Sequence, residues 1–505
     1  MFLKSGAAAP VAKNSPPGTW IALLSGLVYP LAFAPFGIAP IAILSLAILP
    51  ILWSGISPRD AAVRGFAWGF GAFLAGLYWL YISLHTFGNA PLWLSLPLMF
   101  GLVAVMALYP ALAGYLYARF APSSPGAALL LFFPGSWVLL EWIRGWFASG
   151  FPWLAAGYSQ TDTVLAGYAP VGGILLVSAA VALSAGVVAG LILGGRRVLP
   201  VLVLLAVWSA AAALKPIEFS VPRQQTVRVA LLQGAVPQDR KWLPEQYEPT
   251  LQRYSGMTRR SADADLVIWP EAAIPALLGY AHEFLDDLWK KARAKDTALL
   301  IGIPRRDAAS GQFYNSVLAM GSRQKLLYDK RHLVPFGEYF PVPDVVRGWM
   351  RLMNLPYSDF AAGASDQGVI ELAGERLAIT ICYEDVFGAE QIDIASEATL
   401  LVNVSNDAWF GDSIAPHQHL QIARMRAMET RRPMLRATNT GISAIIDAHG
   451  SVTLRSRQFE PEILRAEVTG REGTTPYMKT GDWPGVVISL LGVGLALVSG
   501  RRPAV

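Results

Sequence analysis

The sequence predicts two joined parts: a multi-pass α-helical membrane domain of about eight spans, and a layered α/β domain that faces water. Three observations predict it. Hydrophobic residues make up 53% of the 505 residues and charged residues only 15%, with a mean hydropathy of +0.40; a soluble globular chain carries roughly 25% charged residues. Charge is also unevenly placed, because residues 1–214 hold 11 of the 77 Asp, Glu, Lys and Arg residues and the remainder hold 66. Finally, the pattern changes near residue 222, from long apolar runs to short β-branched runs alternating with charged helical stretches.

The membrane part comes first. About 20 apolar residues are needed to cross about 30 Å of hydrocarbon. Such runs occur at 19–35, 38–55, 66–84, 91–118, 127–146, 168–194 and 198–214, and an eighth at 484–500. Pro30, Pro35 and Pro40 make a tight helical hairpin of the first two. A second run follows the first almost at once, so the first reads as a span and not as a cleaved leader. Residues 1–18, rich in Ala, Pro, Ser and Lys, read as a disordered cytoplasmic tail.

Orientation follows from Lys and Arg. With the N-terminus in the cytoplasm, the inner segments carry Lys4, Lys13, Arg59, Arg64, Arg119, Arg196, Arg197, Arg501 and Arg502, and the short outer loops carry only Arg144. Residues 19–214 then form seven helices, 222–480 a domain on the outer side (the periplasm, in a bacterium), and 484–500 the returning helix. Glu141 and Arg144, three residues apart, share a helix face and read as an ion pair. The aromatic stretch 146–160 reads as an interfacial loop that anchors the chain or lines a path for lipid.

In the outer domain, 227–233, 265–270, 298–304, 376–384 and 399–407 read as buried strands. Segments 245–260, 283–295 and 416–431 read as amphipathic helices, and 313–330 and 441–467 as hairpins. Three polar residues sit where strands end, the usual place for a site in layered α/β folds. Glu271 follows LVIWP, Lys330 follows KLLYD, and Cys382 follows LAITI. Each alone has a bland explanation: a helix cap, a solvated charge, a small buried hydrophobe. Together they make a nucleophilic site. A thiol is mostly protonated at neutral pH and needs a base, which Glu271 supplies. The oxyanion of acyl transfer needs fixed positive charge, which Lys330 supplies. Cys382 is the chain's one cysteine, so no internal disulfide can consume it.

WPE (269–271), YDKRHLVPFGEY (328–339) and ICYED (381–385) resemble the nitrilase superfamily, whose triad is Glu-Lys-Cys. With LLQGAVPQDRKW (231–242), SNDAWFG (405–411) and SGFPWLAAGYSQ (149–160), the chain is similar, over nearly its whole length, to the membrane-embedded apolipoprotein N-acyltransferase family of Gram-negative bacteria. The resemblance implies a nitrilase-like αββα sandwich with Glu271 as base, Lys330 as stabiliser and Cys382 as nucleophile. It further implies that Glu338 orients the lysine, and that Trp242, Tyr383, Glu384 and Asn315 have functional roles. Asp385, after Cys-Tyr-Glu, is a position where the family is expected to vary, and it leaves the central reading intact. The partners it implies are a membrane phospholipid as acyl donor and diacylated apolipoproteins as acceptors, with the inner membrane as location and no cofactor.

The long apolar segment 336–362 carries Trp349, Met350 and Met353 and reads as an arm that touches the bilayer. His417 and His419 are two apart, on different faces of a helix, and no carboxylate trio accompanies them, so no metal site is expected. His332 and His449 read as hydrogen-bonded structural residues. No dense basic face with interleaved aromatics indicates nucleic-acid binding. Two rival readings stay open on the residues alone: a membrane-tethered nitrilase-type amidase, and a transporter whose outer domain binds a ligand.

Overall fold

The computed structural model describes residues 16–194, 198–339 and 359–499. Trp349, Met350 and Met353 of the expected arm lie outside the described residues, as do residues 1–15 of the expected tail. Residues 16–18 are helical and not a tail: Pro16–Val28 is an α-helix that opens on prolines, which suit a first turn.

Apolar helices occur at Pro16–Val28, Pro40–Trp53, Pro58–Leu77, Leu92–Phe120, Phe133–Trp146, Ala169–Ile192, Val198–Leu214 and Trp483–Ser499. Among the described residues, three stretches are long and apolar enough to cross a membrane: Leu92–Phe120, Pro125–Ser149 and Val164–Ile192. Pro58–Leu77 with Trp79–Phe87, bent by 52°, makes a fourth if counted as one span. The other four are shorter, so length supports three or four spans where the sequence leads one to expect eight. Between the first two helices, the proline-rich stretch forms a 3-10 turn, Tyr29–Ala32, and no continuous span.

The third helix starts at Pro58, well before the expected 66, because Ser57 caps it by accepting from the Asp60 amide at 3.1 Å. Arg64, expected in a cytoplasmic loop, is thereby placed in the helix and buried, donating to the Leu52 carbonyl at 2.7 Å. Gly65 and Gly69 share a face of this helix and admit the backbone of Leu92–Phe120. A Cβ on Gly65 would sit 2.2 Å from the Pro110 carbonyl oxygen.

Glu141 and Arg144 share a face but form no ion pair. Glu141 accepts from Trp137 Nε1 at 3.0 Å and the Ala156 amide at 2.9 Å. Arg144 donates to the carbonyls of Phe151 (3.0 Å) and Trp153 (2.5 Å). Both hold the loop that follows, and its own carbonyls satisfy the guanidinium. That loop is no exposed anchor beyond Trp146 and Phe147: Trp153 through Thr161 is buried.

The water-facing domain contains two six-stranded sheets. One runs β12-β1-β2-β3-β4-β5, with β1 Ser220–Gln233, β2 Leu266–Ile268, β3 Ala298–Arg306, β4 Phe313–Met320, β5 Lys325–Asp329 and β12 Glu462–Gly473. The other runs β11-β10-β9-β8-β7-β6, with β6 Ile370–Leu372, β7 Glu375–Ile381, β8 Leu400–Ser405, β9 Met434–Thr438, β10 Ala444–Ile446 and β11 Val452–Arg455. Val229, Leu231, Ile268, Ile379, Val402 and Leu435 meet between the sheets. Each such side chain contributes roughly 1.5–3 kcal/mol on burial. The expected hairpin at 313–330 is β4 with β5, but 441–467 splits: β10 pairs with β11, whereas β12 crosses to pair with β1.

Helices Pro244–Arg260 and His282–Arg293 cover the first sheet and present charged faces to water. Ala415–Thr430 covers the second, yet it is not amphipathic: Gln418, His419, Gln421, Arg426 and Glu429 are all buried. The membrane half covers its far side. Gln418 accepts from Trp153 Nε1 at 2.7 Å, and Glu429 accepts at 2.8 Å from the amide of Ile174, just past the break at Gly172 and Gly173.

Candidate active site

The two sheets deliver different groups to one place. β2 ends in Trp269-Pro270-Glu271, and Gly302 on β3 lets that turn close in, since a Cβ there would stand 2.2 Å from the Pro270 carbonyl oxygen. Asn315 on β4 donates through Nδ2 to Glu271 Oε1 at 2.7 Å and to Glu338 Oε1 at 2.9 Å. Lys330 follows β5, with its amide held by the Asn315 carbonyl at 2.8 Å. Its Nζ lies 2.8 Å from Glu338 Oε2 and 3.9 Å from Glu271 Oε1, with only 1% of the side chain exposed. Burial opposes the charge on Lys330, but Glu338 and then Glu271 outweigh it and hold its pKa above the usual lysine value.

Cys382 comes from the other sheet, directly after β7. It has φ +54°, a left-handed conformation that a side-chain-bearing residue rarely adopts. Asn403 Nδ2 holds its carbonyl at 3.2 Å. The residue is partly exposed, not sealed. Burial of the thiol, with the negative charge of Glu271, pushes its pKa well up; Lys330 pulls it down by less. The resting sulfur is therefore protonated and needs its proton removed.

Glu384 ties the two turns together. Its carboxylate accepts from the amides of Arg331 (2.6 Å), His332 (3.2 Å) and Ile381 (2.7 Å), and from the Tyr328 hydroxyl at 3.0 Å. It fixes the backbone beside Lys330 to the backbone beside Cys382. Tyr383 donates to the Gly150 carbonyl at 3.2 Å. Trp242 is half exposed, and its ring lies 6.0 Å from Lys241 Nζ. Glu271, Asn315, Lys330, Glu338 and Cys382 thus converge, while Glu384 acts behind them, Tyr383 bonds the Gly150 carbonyl and Trp242 lies beside Lys241.

Sequence reasoning missed several groups. Lys241 is buried, donates to the Glu271 carbonyl at 3.3 Å and has its pKa lowered to about 8 by burial; only its place beside Trp242 could have marked it. Asp385, Asp407, His419 and Arg436 form a buried charged cluster behind Cys382. Among the described residues, no group of three or more His, Cys, Asp or Glu side chains is arranged to hold a metal ion. His332 sits between Ser149 (3.3 Å) and Glu390 (3.0 Å), and His449 between Arg431 (2.7 Å) and Glu218 (3.0 Å), as the structural reading of both requires.

Residues 228–477, which carry the two-sheet sandwich and the cluster of Glu271, Lys330 and Cys382, match the family model described as carbon-nitrogen hydrolase. Residues 25–187 match the apolipoprotein N-acyltransferase N-terminal domain. The chain is 43% identical over 487 residues to the apolipoprotein N-acyltransferase of Methylococcus capsulatus, with 96% of each chain covered. It is 44% identical to that of Azotobacter vinelandii, again over 96% of each chain, and 40% identical to that of Pseudomonas putida, over 96% of this chain and 97% of that one. This chain belongs to the apolipoprotein N-acyltransferase family. Among solved structures, a CN-hydrolase superfamily protein from Xanthomonas campestris aligns at 18% identity and TM-score 0.36, over 56% of this chain and all of that one.

Proposed function

We propose that this membrane protein moves an acyl chain from a glycerophospholipid, through a thioester on Cys382, to the N-terminal α-amine of diacylglyceryl-cysteine on an apolipoprotein. The observation that carries the reading is the meeting of a protonated thiol from one sheet with the Glu271–Asn315–Glu338–Lys330 network of the other, beside an apolar helical half.

Glu271 takes the thiol proton as sulfur attacks the ester carbonyl. The Lys330 ammonium stabilises the tetrahedral oxyanion. The lysophospholipid oxygen leaves with the proton from Glu271, and Cys382 keeps the acyl chain. The acceptor amine then attacks the thioester, Glu271 takes its proton, and the sulfur leaves and regains a proton. Glu338 and Asn315 keep the lysine charged and Glu271 aimed. We place the apolar helical half in the bacterial inner membrane, with the sandwich on the periplasmic side. Exclusion of water by lipid and by the buried 153–161 loop limits hydrolysis of the thioester.

Mass spectrometry after incubation with phospholipid alone tests the covalent step. An acyl adduct on Cys382 is expected, and folded protein that acylates acceptor without ever carrying the adduct overturns the reading.

A further inference from the structure

Behind Cys382 lie four ionisable groups that the reaction above does not use. Asp385 follows the nucleophile turn, Asp407 follows β8, Arg436 is on β9, and His419 is on the Ala415–Thr430 helix. Each is 1% exposed or less. Arg436 donates to Asp385 Oδ2 at 3.1 Å and to Asp407 Oδ2 at 2.9 Å. His419 Nε2 lies 2.8 Å from Asp385 Oδ1, and Nδ1 lies 2.9 Å from Asp407 Oδ1. The remaining sides of the ring face Trp153 and Phe410, with centroids 5.7 and 6.5 Å away, so water is kept from it. Asn403 connects this cluster to the nucleophile turn: it accepts from Arg436 Nη1 at 2.6 Å and donates to the Cys382 carbonyl at 3.2 Å, while the Ser405 hydroxyl donates to Asp407 Oδ1 at 2.8 Å.

We propose that His419 is a positioning residue for Cys382: as an imidazolium donating to Asp385 and Asp407, it balances the two carboxylates buried behind the nucleophile turn. Two carboxylates, one guanidinium and one imidazolium sum to zero. Without the imidazolium charge, one negative charge is left uncompensated under an atom that must itself become negative. Asp385, Asp407 and Arg436 are the charged groups that face the ring. Arg436 Nη2 also lies 2.8 Å from Nδ1, a contact that suits a neutral ring. The two carboxylates decide for the charged one: burial and Arg436 oppose the imidazolium, yet Asp385 and Asp407 raise its pKa to about 9.

The inference rests on Cys382 being the nucleophile. It is tested first on the thiol alone, in the purified full chain, by its rate of alkylation with iodoacetamide near neutral pH. H419Q should react about tenfold more slowly or worse, the effect of one uncompensated buried charge at this range. Adding D407N removes the excess charge, so H419Q/D407N should recover to within about threefold of the parent. A folded H419Q that reacts at the parent rate overturns the proposal, as does a folded double variant no faster than H419Q, because a merely structural histidine gives no charge-dependent rescue. If neither variant folds, the unmodified chain decides. Single-turnover acyl-adduct formation must decline as pH rises through about 9, and a rate level to about pH 10 overturns the proposal. Failure of the functional reading looks different: C382S would then retain acyl transfer, whatever the alkylation rates show.

Discussion

The two sheets furnish opposite halves of the site and support them in different ways. The β1–β5 sheet supplies a carboxylate, a second carboxylate, an amide and an ammonium, linked directly at 2.7–2.9 Å, with the charge that matters already formed. The β6–β11 sheet supplies one atom, Sγ of Cys382, whose pKa burial pushes up and which, in the reaction proposed here, becomes charged only as it attacks. The first half is preorganised by its own hydrogen bonds. The second is backed by a buried charged cluster, Asp385, Asp407, His419 and Arg436, which we propose controls it. A permanent charge is best held by contact, and a transient one by the field in which it appears.

The comparison can be broken at its centre first. C382A should abolish acyl transfer, by on the order of 10⁴-fold or more, because no other cysteine is present to replace the sulfur; initial rates with a fluorescent phospholipid donor measure it. K330A removes the fixed positive charge and should lower kcat by about 10²–10³-fold. K330A should also depress acyl-adduct formation, since the lysine acts on the first half-reaction too. E384A severs the tie between the two turns. It should cost roughly 3–5 kcal/mol of local stability, seen as earlier thermal unfolding and faster amide exchange at Arg331 and Ile381.

The smallest effect sharpens the contrast between the halves. The folded-state pKa of His419 lies above its ordinary value of 6.5, at about 9. Its stabilisation is therefore complete below about pH 6.5 and lost as pH rises through about 9, amounting to about 3 kcal/mol at most. Thermal unfolding followed across that window should fall in the parent and stay flatter in H419Q.

Much of this was legible in one sequence, and what was not has physical reasons. The strands were readable because buried parallel strands are continuous apolar runs. Glu271, Lys330 and Cys382 were readable because each terminates such a run. The partners of these residues were not. Asp385 looks like a spare acid, and its importance comes from Arg436, far along the chain on another strand. His419 and Gln418 look like polar residues on a wet helix, because periodicity cannot reveal that a second body covers the outer face. The span count was read from hydropathy, which responds to composition; Pro30, Pro35 and the bend after Leu77 cut the apolar runs into pieces shorter than their composition implies.

The helix Ala415–Thr430 has no wet side, and this governs how the molecule can be assembled. Its outward residues find their partners in Trp153, Thr161 and Ile174, all made earlier on the ribosome, so a sandwich released on its own would present Arg426 and Glu429 bare to solvent. Its sequel, Trp483–Ser499, packs back among the earlier membrane helices against Gly135 and Leu175. Both ends of the sandwich are thus moored to one scaffold. Any attempt to simplify this protein by excising its water-facing part removes the surface on which the wall behind the sulfur was cast.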